Sequence, residues 1–127
     1  ATLTQIAHAK FTDPQIGQLL EDLRPYEQSL AYDSDEASLI RITRHDYERA
    51  VNIPSSFTAK FSQHTAECYE VWAKARAAND FAAVAPYLEK TLELSRELAN
   101  FFPGYEHIAD PLIADADYGM TVKSVRS

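Results

Sequence analysis

Apolar residues recur at intervals of three and four along most of the chain, the spacing that places side chains on one face of an α-helix. Only three glycines interrupt the 127 residues. The β-branched residues are scattered and do not form the alternating runs that are typical of a β-sheet. The pattern therefore predicts an all-α protein, organised as an antiparallel bundle of helical hairpins.

Two helices are expected at the start of the chain. The first covers the opening residues as far as Phe11. The stretch Thr12-Asp13-Pro14 then supplies an N-cap and a first-turn proline for a second helix, which ends before Pro25. The apolar stripe of the second helix consists of Ile16, Leu19, Leu20 and Leu23.

A third helix is expected to open at Asp33 and to run to about Asn52, before the break that Pro54 imposes. Asp33 and Glu36 have the spacing of a capping box, and acidic residues in a first turn interact favourably with the helix dipole. The predicted core face consists of Leu39, Ile42, Ala50 and Val51, with Ile40, Thr43 and Tyr47 beside it.

A fourth helix is expected from Pro54-Ser55 until Asn79 and Asp80, which close it and cap the following segment. Apolar and small residues spaced three or four apart predict a long core-facing seam along this helix. The seam consists of Phe57, Phe61, His64, Cys68, Trp72 and Ala75.

The fifth helix is predicted to hold Pro86 in its first turn and to stop at Pro103-Gly104. Residues at helical spacing predict its core face, namely Leu88, Leu92, Ser95, Ala99 and Phe102. The fourth and fifth helices are expected to form a hairpin.

The last part of the chain is less regular, with a short helix expected around Leu112-Ile113. Thr121 is a good N-cap, and the two valines that follow it are three residues apart, so a further helix is expected to start there. Because the sequence stops soon after this start signal, we expect residues 1–127 to be one helical domain and a truncated N-terminal piece of a longer enzyme. Residues 119–127 would then be the start of a cut helix.

Composition narrows the possible functions. The net charge of −7 argues against a nucleic-acid partner, because binding to a phosphate backbone depends on Lys and Arg. The sequence has no run of about eighteen apolar residues and no leader with basic and then apolar residues, so neither a membrane span nor a signal peptide is predicted. The one cysteine, Cys68, suits a reducing compartment, and we expect a cytoplasmic protein.

The strongest candidate for a metal site is an incomplete set of ligands. His64 and Cys68 lie four residues apart on one helix face, near Glu67, and both side chains are of types that bind zinc. The same two positions also suit a hydrogen-bonded core histidine and a small buried thiol. None of the four histidines begins an HExxH pair.

Other chemistry-bearing residues have structural explanations. The acidic cluster of Asp33, Asp35 and Glu36 lacks the glycine and distal glutamate of an EF-hand loop, and capping accounts for it. Cys68 as a nucleophile paired with His64 would need an exposed, electropositive setting that a core seam does not offer. A solvated face accounts for Glu93 and Glu97, which are flanked by Lys90 and Arg96.

Aromatic and arginine residues leave two further possibilities. A peptide-binding groove or the core could be lined by Tyr47, Tyr69, Trp72, Phe81 and Tyr87. Surface ion pairs or an anion site could be formed by Arg41, Arg44 and Arg49. The residues alone therefore assign no catalytic, cofactor-binding or metal-binding position.

Two stretches and their order resemble the N-terminal region of the carboxypeptidase Taq family. The first is Asp46-Tyr47-Glu48-Arg49-Ala50 leading to Pro54. The second contains Trp72, Ala75-Arg76, Asn79-Asp80-Phe81, Pro86 and Leu88-Glu89-Lys90, and is followed by LIADADYGMT. The resemblance covers nearly the whole chain. Two local patterns differ from the usual family sequence, namely Asp110-Pro111 before Leu112-Ile113 and Tyr118 in place of a proline before Gly119.

The resemblance implies a segment of a metallocarboxypeptidase that removes C-terminal amino acids from peptides. In this family a divalent ion, zinc or cobalt, is bound by an HExxH helix and a third ligand, all beyond the matched segment. The N-terminal helices form part of the wall and lid over a deep, narrow groove. The resemblance therefore implies an inactive lid domain without catalytic or metal-binding residues, whose partners are the rest of the polypeptide, peptide substrates and a second subunit of a homodimer.

A free-standing helical protein-interaction module is the alternative. It predicts a stop codon near Ser127 and a stable fold in which all apolar faces are covered. A lid domain predicts a reading frame that continues into an HExxH motif, and an apolar face left exposed where the rest of the enzyme packs.

Overall fold

The computed structural model describes residues 2–127, and in this range the chain contains helices and turns without any β-strand. The all-α prediction is confirmed. The helices are α1 (Thr2–Phe11), α2 (Pro14–Asp22), α3 (Arg24–Ser29), α4 (Asp35–Ala50), α5 (Ser55–Ala78), α6 (Phe81–Ala99), α7 (Asp110–Ala116) and α8 (Val122–Arg126). None of these helices is long and apolar enough to cross a bilayer.

The chain forms two compact units, one ending at Ala59 and the other beginning at Lys60. The boundary falls within α5, so residues 55–59, about one turn of this helix, belong to the first unit. Organisation as a single domain stays a prediction. Each unit has buried apolar side chains of its own, including Leu20 and Phe57 in the first and Val84 and Leu94 in the second.

Helix α4 is the centre of the first unit, where α1, α2 and α3 all contact it. None of residues 2–11 in α1 is buried, and this helix is held by polar and aromatic contacts. The His8 ring lies 3.1 Å from the Ser55 hydroxyl through Nδ1 and 3.1 Å from the Ala50 carbonyl oxygen through Nε2. Phe11 packs edge-on against the Tyr47 ring, with ring centroids 6.1 Å apart.

The predicted core face of α4 is wrong. Leu39, Ile42 and Val51 are exposed, whereas Ala37 and Ile40 are buried. Arg44 and Tyr47 follow Ile40 at helical spacing, and both are at least half-buried. The long side chains of Arg44 and Tyr47 thus occupy core-facing positions, and the polar end of Arg44 has partners there. The more apolar row of Leu39 and Ile42 faces outward.

The start of α4 also differs from the prediction. Ser34 is the N-cap, and its hydroxyl accepts a hydrogen bond from the Ala37 N–H at 3.2 Å. Asp33 therefore lies outside the cap, and Asp35 and Glu36 form the acidic first turn. The serine hydroxyl is shorter than a carboxylate side chain and satisfies the third amide directly.

We expect Ser34→Ala to lower the free energy of unfolding by about 1 kcal/mol, because the amide of the buried Ala37 loses its acceptor. Asp33→Ala is the matched control and should leave stability unchanged in urea titrations of the two variants. A larger loss of unfolding free energy for Asp33→Ala than for Ser34→Ala would show that Asp33 is the N-cap.

The sequence analysis does not predict helix α3, and it places Pro86 at the wrong position in its helix. Pro25 lies in the first turn of α3, so this proline starts a helix as well as ending the previous stripe. Pro86 is inside α6, which begins after the Asp80 cap, and its expected first-turn position is wrong. The cap fixes the helix start because the Asp80 carboxylate accepts from the Ala83 N–H at 3.2 Å.

Helices α5 and α6 form the expected antiparallel hairpin in the second unit. Lys60 pairs with Glu97 at 2.7 Å, and His64 contacts Thr91 at 2.9 Å, so partner numbers fall along α6 as they rise along α5. Asn79 closes the turn with a positive φ of 54°. Helix α7, which was expected around Leu112-Ile113, packs against α6.

Parts of the predicted hairpin core are wrong. Trp72 is exposed, and its neighbour Val71 lies on the more buried side of α5. Leu88 and Leu92 of α6 are also exposed. The more buried face of α6 instead contains Val84, Tyr87, Thr91, Leu94 and Ala99. Thr91 can take an inward position because its hydroxyl donates to the Tyr87 carbonyl at 2.8 Å.

Candidate functional site

His64 and Cys68 do not form a metal site. The Thr91 hydroxyl donates to a backbone carbonyl and so accepts from the Nε2–H of His64, at 2.9 Å. The His64 ring also stacks on Tyr87, with centroids 6.3 Å apart. Cys68 is a half-buried free thiol. Within residues 2–127, no three side chains of His, Cys, Asp or Glu come together as metal ligands. The residues described therefore do not fit a bound metal ion.

The arginines of α4 have different environments. Arg44 pairs with Glu27 at 2.7 Å, and the two side chains are only 11% and 14% exposed. A nitrogen of the same guanidinium donates to the Leu20 carbonyl at 3.2 Å. The expectation of a surface ion pair is thus wrong for Arg44, which ties α4 to α2 and α3 from an inward position. The Arg41 guanidinium lies over the Tyr32 ring, 4.0 Å from its centroid.

The charged residues of α6 lie on a solvated face, as expected. Lys90 pairs with Glu93 at 2.9 Å, and Glu97 pairs with Lys60. All of these side chains are about half exposed. The hydrogen bond to Lys90 lowers the pKa of Glu93. Exposed pairs of this kind contribute little to stability.

The aromatic candidates divide into two groups. Tyr47 and Tyr87 are half-buried and belong to the packing of their own units. In contrast, Tyr69, Trp72 and Phe81 are 66%, 41% and 70% exposed. We call these three residues, together with Arg76, Leu88 and Leu92 on the same two helices, the hairpin face.

Contacts within the hairpin face join two of its aromatic side chains and Arg76. The Tyr69 and Trp72 rings are 5.9 Å apart, and the Arg76 guanidinium lies over the Trp72 ring, 5.2 Å from its centroid. In residues 2–127, Arg76 has this cation–π contact but no carboxylate partner. The hairpin face therefore places an exposed positive charge beside aromatic surface.

Comparison with known proteins identifies the family. A sequence profile described as carboxypeptidase Taq (M32) metallopeptidase matches residues 1–127, which is the whole chain. The chain belongs to the carboxypeptidase Taq family. Thermostable carboxypeptidase 1 of Thermus thermophilus is 30% identical over 98% of this chain and 26% of its own length.

Solved structures of the family have the same fold. An M32 carboxypeptidase from Deinococcus radiodurans matches with a TM-score of 0.78 and 38% identity, over 98% of this chain and 24% of that one. A carboxypeptidase from Pyrococcus furiosus matches with a TM-score of 0.81 and 22% identity, over 99% of this chain and 25% of that one. The chain thus spans about a quarter of the length of these carboxypeptidase Taq proteins.

The segment from His107 to Val122 contains a buried carboxylate that sequence reasoning missed. Asp110 is 4% exposed and begins α7. Its Oδ1 accepts from the Val122 N–H at 2.8 Å, and its Oδ2 accepts from the His107 N–H at 3.0 Å. Gly119 turns the chain between α7 and α8 with a φ of +84°. Asp110 thereby ties the start of α7 to the start of α8.

The hydrogen bond from the Val122 N–H lowers the pKa of Asp110, and the His107 N–H adds to this effect against the cost of burial. A carboxyl group whose pKa is lower in the folded state stabilises the fold above its ordinary pKa of ~3.9. We therefore expect this contribution to be lost as the pH falls from that value through the lower folded pKa. Urea titrations at a series of pH values will measure the loss.

Asp110→Asn should flatten the acid limb of this stability profile, because amide groups do not titrate. Asp117→Asn, at an exposed position in the same segment, is the matched control and should keep the wild-type profile. Equal flattening by both variants would contradict the role given to Asp110.

Proposed function

We propose that the chain is the N-terminal groove-wall or lid domain of a metal-dependent carboxypeptidase that removes C-terminal amino acids from peptides. The observation that carries this proposal is the family match over residues 1–127, combined with a span of only about a quarter of each relative. On this proposal the polypeptide continues beyond residue 127. The helix at residues 122–126 would be its link to the remaining segments.

A wall or lid domain contributes to peptide cleavage through the shape of the groove that it encloses. A groove that is closed at one end admits a chain terminus and excludes a folded protein, and the walls position the scissile bond while they exclude water. We assign the catalytic groups and the zinc or cobalt ion to the remaining polypeptide, because this chain spans only about a quarter of the length of its relatives. No reaction step is therefore assigned to a residue of this chain.

Two further properties belong to the proposal. A homodimer would follow from family membership. A cytoplasmic location agrees with the single unpaired thiol of Cys68, which would persist in a reducing compartment.

Release of C-terminal amino acids from a short peptide tests the proposed function. The protein from the whole reading frame and the 127-residue chain are compared, each with and without added zinc or cobalt. We expect metal-dependent release by the long protein and none by the 127-residue chain. A reading frame that ends at Ser127, or a long protein without this activity, would favour the free-standing interaction module.

A further inference from the structure

The α5–α6 hairpin has two sides of different character. Each helix has a more buried row, which on α5 includes Cys68, Val71 and Ala75 and on α6 includes Val84, Tyr87 and Thr91. The residues of the hairpin face lie one position after these rows, namely Tyr69, Trp72 and Arg76 on α5 and Leu88 and Leu92 on α6. Ala85 likewise follows Val84, and Phe81 lies one turn before Ala85 on the same side of α6. On both helices the residues of the hairpin face thus follow the more buried row by one position.

A step of one residue turns about 100° around a helix axis. Two antiparallel helices that face each other run in opposite directions, so the same step turns both rows toward one side of the pair. The pairing of Lys60 with Glu97 and of His64 with Thr91 establishes this antiparallel register. The aromatic row of α5 and the apolar row of α6 therefore share one side of the hairpin.

Charged residues precede the more buried rows and lie toward the other side. Glu67, Glu70 and Lys74 come one position before Cys68, Val71 and Ala75. On α6, Lys90 comes one position before Thr91, and Glu93 comes one position before Leu94. This charged side has ion pairs exposed to solvent, whereas the hairpin face has large apolar side chains. A helical pair of this kind resembles one layer of a larger packed structure.

We propose that the hairpin face binds a helix from the remaining polypeptide of the longer enzyme, with a carboxylate of that helix placed against Arg76. This inference rests on the proposed function. The groove between two antiparallel helices accepts the apolar ridge of a third helix. The cation–π contact holds the Arg76 guanidinium beside Trp72, and a carboxylate on the docked helix would complete its partners.

The length of the relatives and covalent linkage favour this occupant. The chain spans 24% to 26% of the relatives' lengths, so a longer enzyme would contain many additional helices. A segment linked to the same chain has an effective concentration on the order of millimolar, which a second copy in dilute solution does not reach. The remaining polypeptide would therefore occupy the face before another copy could.

Photocrosslinking in the protein from the whole reading frame identifies the occupant. Phe81 is replaced by the photoreactive amino acid p-benzoylphenylalanine, and Tyr32 of the first unit is replaced in the same way as the control. We expect crosslinks from position 81 to a helical segment beyond residue 127 of the same chain, in a product that migrates as a monomer. Crosslinks to a second copy, to added peptide alone, or to no protein segment would overturn the proposal.

Hydroxyl-radical footprinting of the unmodified long protein gives a second readout that needs no variant. We expect the oxidation rate at Trp72 to fall about tenfold below that of the exposed Tyr32, since a docked helix removes the indole from water. Oxidation of Trp72 at a rate similar to that of Tyr32 would overturn the proposal.

Charge reversal tests the carboxylate. Arg76→Glu should lower the thermal midpoint of the long protein by about 2–4 °C. Arg41→Glu, which reverses a second arginine stacked on an aromatic ring, should leave the midpoint unchanged. Equal effects of both variants would overturn the pairing. Peptidase activity is measured on the unmodified long protein: an active protein with an uncovered hairpin face rejects only this inference, whereas an inactive unmodified protein rejects the proposed function.

Discussion

Replacing Arg44 with methionine is expected to lower the free energy of unfolding by about 3 kcal/mol. The Glu27 carboxylate, only 14% exposed on its side chain, would lose its 2.7 Å partner. The Leu20 carbonyl would also lose its donor. Removing one member of a buried ion pair leaves a desolvated charge, which costs more than the pair contributes when it is intact. Denaturant titrations of the 127-residue chain measure the difference.

Two companion variants separate this effect from a general cost of losing arginine. Arg24→Met breaks a pair with Glu21 in which both side chains are about half exposed, and it should have no measurable effect. The double variant Glu27→Leu/Arg44→Met removes both charges and should recover most of the lost stability. If Arg24→Met were as damaging as Arg44→Met, burial of the Glu27–Arg44 pair would not explain its importance.

The second large effect is expected at Gly17, where α2 approaches α4 closely. A Cβ atom at this position would lie 2.6 Å from the Tyr47 hydroxyl oxygen and 2.9 Å from the ring carbon Cζ. The Tyr47 ring cannot move away freely because it packs against Phe11. We expect Gly17→Val to lower the free energy of unfolding by about 1–3 kcal/mol, despite the better helix propensity of valine.

A double-mutant cycle checks the origin of this effect. In the Tyr47→Ala background the space beside Gly17 is open, so Gly17→Val should cost much less there than in the wild-type chain. The two costs are compared by urea titration. Equal costs in both backgrounds would place the strain somewhere other than the contact with Tyr47.

The sequence predicts helices better than it predicts their orientation. Helix caps are local interactions within three residues, and the structure confirms the caps expected in Thr12-Asp13-Pro14, in Asn79-Asp80 and at Thr121. The inward face of α4 depends on tertiary contacts, because Arg44 and Tyr47 become suitable core-facing residues only through Glu27 and Gly17. Apolarity alone therefore selected the exposed Leu39 and Ile42.

The same limit applies to the candidate sites. The four-residue spacing of His64 and Cys68 is compatible with metal binding, but a metal site requires further ligands from elsewhere in the chain. The hydrogen bond between Asp110 and Val122 links residues twelve positions apart, so no local pattern indicates it. Trp72 and Leu88 were predicted in the core because they are large and apolar. Their position on the hairpin face became visible only with the packing of α5 against α6.

On the proposed function, this chain is one part of a metal-dependent carboxypeptidase. The most direct measurement follows a short peptide by mass spectrometry during incubation with the protein from the whole reading frame, first stripped of metal and then supplied with zinc or cobalt. Stepwise loss of C-terminal residues, only after metal is restored and only from the peptide with a free C-terminal carboxylate, is the predicted result. Cleavage of the C-terminally amidated peptide at the same rate, or activity unaffected by metal removal, would contradict the claim.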